Sequence, residues 1–153
     1  RKAVTVGPKD SLAKAAQLMK EKNVGAIVVV EQDRPVGIIT DRDLALAFAL
    51  HGAVPGDPIQ SRMMSPVETI RTDEGIYNVT QKMMELAVRR LPIVNHAGVL
   101  VGVVTLDDII ALLSRELRNV AEGVAVPRQA RISPKSRLFE RLRHPAAVLL
   151  APE

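Results

Sequence analysis

Two kinds of apolar pattern alternate along this chain. The first is helical spacing. In "DSLAKAAQLMKEKN" residues Leu12, Ala15, Ala16, Leu18 and Met19 fall on one face, with Asp10 or Ser11 placed to cap the start. The second is the short continuous run, such as "GAIVVVE" and then "VGIIT", of strand length and apolar throughout. Such runs suit a sheet covered by helices. Val4–Val6 reads as a short extended piece, "QDRP" as a polar turn, and "DLALAFALHG" as a helix stopped at Gly52. The same order then recurs. "EGIYNVTQKMMELA" is a helix, "RLPIVN" and "LVGVVT" are strands joined by "HAG", and "LDDIIALLSRELRNV" closes the series.

The recurrence is residue by residue. At an offset of 64, Val6 falls on Ile70, Leu12 on Ile76, Met19 on Met83 and Val29 on Ile93. One inserted residue near Ala97-Gly98 raises the offset to 65, which sets Gly37, Thr40 and Asp43 on Gly102, Thr105 and Asp108. The chain therefore predicts a mixed α/β (α+β) fold of two strand–helix–strand–strand–helix repeats. In each, the first helix should cross over between parallel strands, and the polar turn should join antiparallel ones. Neither repeat is large enough to be secure alone, so the two are expected to pack through their sheets. The expected boundaries are 2–53 for the first repeat, 54–66 for a proline-bearing linker, 67–120 for the second repeat and 121–153 for an extension. Within the linker a short turn or helix is expected around Ile59–Met64, with Met63 and Met64 filling gaps.

Charge separates the repeats from the extension. Residues 1–117 hold 14 basic and 14 acidic side chains, whereas 118–153 hold seven and three, which is the whole net charge of +4. The chain has no cysteine, so disulfides and thiolate metal sites are excluded. No apolar run approaches the roughly 18 residues of a membrane span. The first residues carry neither a secretory core nor a methionine, which reads as the start of a fragment, and a cytoplasmic location is expected.

The duplicated Gly-x-x-Thr-x-x-Asp admits two accounts. In one, Thr40 and Asp43 form a capping box, as Thr105 and Asp108 do, worth about 1 kcal/mol per helix. In the other, the carboxylate accepts both hydroxyls of a ribose and the threonine binds sugar or phosphate. Asp41 and Asp43, like Asp107 and Asp108, crowd the helix start with negative charge, so phosphates would lie toward arginines. Gly37 and Gly102 lack a Cβ, so a ligand or another chain segment can approach there.

The ordered set "GIITDRD", "GVVTLDD", "VRRLPIV" and "SRMMSPVETI" resembles the cystathionine-β-synthase (CBS) domain, and the tandem resembles a Bateman module, over about residues 2–120. The resemblance implies a pseudo-two-fold pair with two clefts that take adenine nucleotides (AMP, ADP or ATP) or S-adenosylmethionine as regulatory ligands, with no required cofactor. One cleft would combine Thr105 and Asp108 with Val4, Thr5, Gly25 and Ala26. The other would combine Thr40 and Asp43 with Met64–Val67, Arg89 and Arg90. Because Arg89 and Arg90 stand where the first repeat has Gly25 and Ala26, and Arg42 adjoins Asp43, all three arginines should collect in the Thr40/Asp43 cleft. That cleft should take the phosphorylated ligand. Its partner, with no matching basic pair, should be weak, empty or suited to an uncharged adenosyl group. The other reading of Arg89 and Arg90 is a solvated or ion-paired corner. The resemblance also implies a homodimer.

Catalysis is not expected: His51, His96 and His144 stand far apart, and no nucleophile motif or metal-ligand spacing is present. The alternative to ligand sensing is a non-catalytic interaction scaffold. In that case the basic stretch "VPRQARISPKSRLFERLRHP" would bind nucleic acid or an acidic partner through a helix over 136–143. Docking of Leu138, Phe139 and Leu142 on the module or its dimer mate is favoured over nucleic acid.

Overall fold

The computed structural model describes residues 1–125, so the expected helix over 136–143 and the apolar residues Leu138, Phe139 and Leu142 lie outside the described residues. Strand β1 (Thr5–Val6) leads to helix α1 (Leu12–Lys22), then strands β2 (Ala26–Glu31) and β3 (Arg34–Thr40) and helix α2 (Asp41–Leu50). The second repeat follows with β4 (Ile70–Arg71), α3 (Ile76–Glu85), β5 (Arg90–Val94), β6 (Leu100–Thr105) and α4 (Leu106–Ala125). Helix α4 continues past Val120 as far as Ala125, the last described residue. "AEGVA" holds no proline, and a single glycine inside a helix costs only about 1 kcal/mol.

Each repeat makes its own three-stranded sheet, β1-β2-β3 and β4-β5-β6. The crossover helix sets β1 parallel to β2 and β4 parallel to β5, and the hairpins are antiparallel. Even the irregularity is duplicated, with a register shift at Val29/Val30 in one sheet and at Ile93/Val94 in the other. The inserted residue sits in the second hairpin. The first turns on Gln32 and Asp33, both at positive φ, which is the tight two-residue geometry that matches strand twist. The second closes from Asn95 to Val99, with Asn95 Oδ1 accepting the Ala97 and Val99 amides at 3.0 Å each.

One core lies in each repeat. Leu12, Ile27, Val29 and Ile39 are fully buried in the first, and Ile70, Val79, Met83 and Leu91 anchor the second. Side chains alternate across a strand, so Val28 and Ile38 point away from the first core, yet they are 2 % and 4 % exposed. Pro92 and Val94 are buried on the equivalent face of the second sheet. Residues Arg1–Ile110 form one compact unit holding the first repeat, the linker and the second repeat as far as the first turn of α4, so both sheets lie within it. Ala111 begins a second unit.

The linker belongs to the first repeat. Carbonyls of Asp57 and Pro55 accept the Leu12 and Ala13 amides at 2.9 Å each, satisfying donors at the start of α1 that have no partner within the helix. Ser11 caps the same helix through its side chain. Ile59, in a short 3-10 turn (Ile59–Ser61), is fully buried in the first core. Met63 packs against that core and over Gly37, where a Cβ would collide with its sulfur. Met64 is half exposed and does not fill a gap. It pairs with Ile38 through two backbone hydrogen bonds of 2.9 and 3.1 Å, which carries the chain across β3.

Candidate functional site

Strand β3 delivers Thr40 in extended conformation to the start of α2, where its hydroxyl accepts the Asp43 amide at 3.2 Å. Asp43 Oδ2 accepts in return from the Thr40 amide at 2.9 Å and hydroxyl at 2.7 Å. One carboxylate oxygen thus builds the cap. The other, Oδ1, has no hydrogen-bond donor among the described residues, and Thr40 and Asp43 both line a cavity of about 490 Å³. That volume lies within the usual range for small-molecule sites.

Three chain segments close this cavity. Ile38 and Thr40–Asp43 come from the first repeat, Met64 and Pro66–Glu68 from the linker and the start of the second, and Leu86–Leu91 from the end of α3 into β5. The walls at Ile38, Met64, Val67, Leu86, Val88 and Leu91 are apolar, and Arg42, Arg89 and Arg90 stand among them. The structure therefore brings together Thr40, Arg42, Asp43, Met64, Val67, Arg89 and Arg90. The two adjacent arginines have different settings. Arg89 donates to Asp107 Oδ1 at 3.3 Å, and both partners are about 70 % exposed, so this is a weak, solvent-screened pair. Arg90 donates across the repeats to the Gly25 carbonyl, which also accepts the Asp41 amide at 3.3 Å.

Glu68, Leu86 and Ala87 line the cavity without having been expected there. The repeat contained one signal for them. Asn23 caps α1 at φ 50°, and the residue 64 positions on is Ala87, at φ 53°. Asparagine advertises a left-handed helix end and alanine does not.

The second Thr–Asp pair has the same local geometry, with bonds of 3.0, 2.6 and 3.2 Å between Thr105 and Asp108. Its surroundings differ. Both Asp108 oxygens accept from Arg1 Nε at 3.1 Å, and Arg1 Nη2 reaches Asp108 Oδ1 and, at 3.4 Å, the Thr105 hydroxyl. The Arg1 guanidinium holds the Asp108 carboxyl down at about 2. Arg1 thus brings one basic side chain to a cleft expected to have no matching basic pair. Of the residues expected to join Thr105 and Asp108, Val4, Thr5 and Ala26 each have other settings. Thr5 lines a smaller one of about 250 Å³ with Lys2, Asp33 and Gly102. The Val4 carbonyl accepts from Val28, and Ala26 pairs with Thr40 in the β2–β3 ladder. At both glycines the close approach is made by the chain itself, Met63 at Gly37 and the Arg1 carbonyl at Gly102.

Two copies of one β-α-β-β-α unit, with a cleft walled by both, define the class of a duplicated small-molecule-binding fold. The chain belongs to the CBS domain family, whose family model matches residues 1–50 and 59–115, one match per repeat. It is 37 % identical over 122 residues to the CBS domain-containing protein YhcV of Bacillus subtilis, covering 80 % of this chain and 84 % of that one. Its fold is similar to the CBS domain pair of protein MJ0100 in complex with 5'-methylthioadenosine and S-adenosyl-L-methionine (TM-score 0.68, 28 % identity, 76 % of this chain and 91 % of that one). It is also similar to the CBS domain protein PAE2072 from Pyrobaculum aerophilum complexed with AMP (TM-score 0.66, 25 % identity, 71 % and 83 %). Among the described residues no helix is long and apolar enough to cross a membrane.

Proposed function

We propose that this chain is a regulatory module that senses an adenosine nucleotide in the Thr40/Asp43 cleft and carries out no catalysis of its own. One observation carries the reading. A cavity of about 490 Å³ assembled from both repeats is lined by Asp43, whose Oδ1 has no donor among the described residues, together with apolar walls and three arginines. The carboxylate suits a ribose diol, the walls suit a base, and the guanidinium groups suit phosphate. AMP, ADP and ATP all meet that description. The similar structures holding AMP, 5'-methylthioadenosine and S-adenosyl-L-methionine support the adenosyl part.

Signalling follows from where the walls come from. A ligand that touches both repeats favours the arrangement in which they close on it, and it shifts the population only by its preference for that arrangement. The module would act as a cytoplasmic homodimer, which light scattering reads directly. Calorimetric titration with AMP, ATP, S-adenosylmethionine and adenosine tests the ligand. Saturable binding of a phosphorylated adenosine compound, tighter than adenosine, is expected. No binding of any of them would leave both Thr–Asp pairs as helix caps and the module as an interaction scaffold.

A further inference from the structure

The two clefts differ at one backbone position that the structure makes equivalent. In the first, the Met64 carbonyl accepts the Ile38 amide at 3.1 Å; in the second, the Arg1 carbonyl accepts the Val103 amide at 3.0 Å. Ile38 and Val103 each stand two residues before the threonine of the Thr–Asp pair. Residues 64 and 1 therefore cross the third strand of their sheets at the same place. Met64 offers no polar atom there that bonds Thr40 or Asp43, and Asp43, which lines the cavity, has no donor to its Oδ1 among the described residues. Arg1 directs its guanidinium onto both oxygens of Asp108 and toward the Thr105 hydroxyl.

We infer that the residue at this position decides which cleft admits a nucleoside: methionine leaves the first open, and arginine seals the second by occupying the polar atoms that a ribose would use. The inference rests on the reading that these Thr–Asp pairs grip ribose. An ordinary surface ion pair is worth about 0–1 kcal/mol and is lost readily. This one is better organised. The carbonyl of residue 1 is held on β6, and Gly102 beneath it has no room for a side chain, since a Cβ would lie 2.9 Å from that oxygen. The guanidinium thus starts from a fixed backbone and meets the carboxylate with two nitrogens, the arrangement in which arginine binds carboxylate best. A neutral diol would have to displace it without replacing its charge. The second cleft is then closed by the chain itself, and one adenosyl ligand binds per chain.

The test exchanges the two residues. Arg1→Met and Met64→Arg are titrated by calorimetry with adenosine and with AMP, alongside the unaltered chain, with circular dichroism to establish that each is folded. The expected stoichiometry is one for the unaltered chain and two for Arg1→Met. Met64→Arg should lose at least ten-fold in affinity for adenosine. Two sites in the unaltered chain, no gained site in Arg1→Met, or a folded Met64→Arg that binds adenosine as before would each overturn the inference. If the unaltered chain binds neither compound, the nucleotide reading of the first cleft fails. Arg1→Met then still decides the second, because a new adenosine site supports the seal and none refutes it.

Discussion

Replacing Asp43 with asparagine separates the two things its carboxylate can do. The cap uses Oδ2, which accepts from the Thr40 amide and hydroxyl. An asparagine oxygen placed there keeps both bonds, so the fold loses only the favourable charge at the start of α2, about 0.3–1 kcal/mol. In the cleft the change is larger. The amide nitrogen takes the place of Oδ1 and presents a donor where a charged acceptor stood. Hydrogen bonds to charged groups contribute about 1.5–3 kcal/mol, so losing one weakens binding roughly 10- to 150-fold. Calorimetric titration with AMP gives the affinity, and urea unfolding of the same samples gives the stability. Asp108→Asn is the internal control. It alters the same cap on α4 and also breaks the Arg1 contact, so it should lower stability by more than Asp43→Asn while leaving AMP affinity unchanged. Wild-type affinity in Asp43→Asn would refute the ribose assignment, as would equal losses in both variants.

Arg90→Ala should weaken AMP more than adenosine in parallel titrations, and equal losses would remove the phosphate role of this arginine. Acid unfolding should show the Arg1–Asp108 contact. The Asp108 carboxyl titrates at about 2 instead of 3.8. Its stabilisation is therefore complete above about pH 4 and is lost as the pH falls toward 2, by about 1 kcal/mol once solvent screening is allowed for. Arg1→Met should abolish that part of the acid sensitivity, and an unchanged profile would contradict the contact. Ile59→Ala should cost about 2–5 kcal/mol in urea unfolding, because a fully buried side chain is removed from the first core. A loss under 1 kcal/mol would mean that the linker is not part of that core.

The repeat made most of the fold legible. Continuous apolar runs flanked by turn residues gave the strands, and Ser11 and Gly52 marked helix ends that the structure places within a residue or two of expectation. The residues around the first cavity were legible in part, because Thr40 and Asp43 recur as Thr105 and Asp108 and the two adjacent arginines stand where the first repeat has Gly25 and Ala26. Leu86 and Ala87 were not, since a wall made by an apolar turn looks like any other apolar turn. Arg1 was hidden for another reason. The offset of 64 sets it against Ser65, and only the backbone bridge to Val103 shows that it stands where Met64 does. A pairing across more than a hundred residues leaves no trace in local periodicity.

Each repeat seals its own core, and this has a mechanical consequence. The two halves can move as stiff plates, because no helix packed in one core must be pulled from the other. Between the plates lie the apolar sheet faces, whose contact is non-directional and tolerates sliding. Among the described residues the directional ties that cross over are few: Arg90 to Gly25, the Leu100 amide to the Asp33 carbonyl, and the contacts of Arg1 with Val103, Thr105 and Asp108. Sliding strains these ties first. The Leu100 and Val103 amides therefore act as gauges of plate motion, and their hydrogen exchange would report the signal before any change inside either repeat.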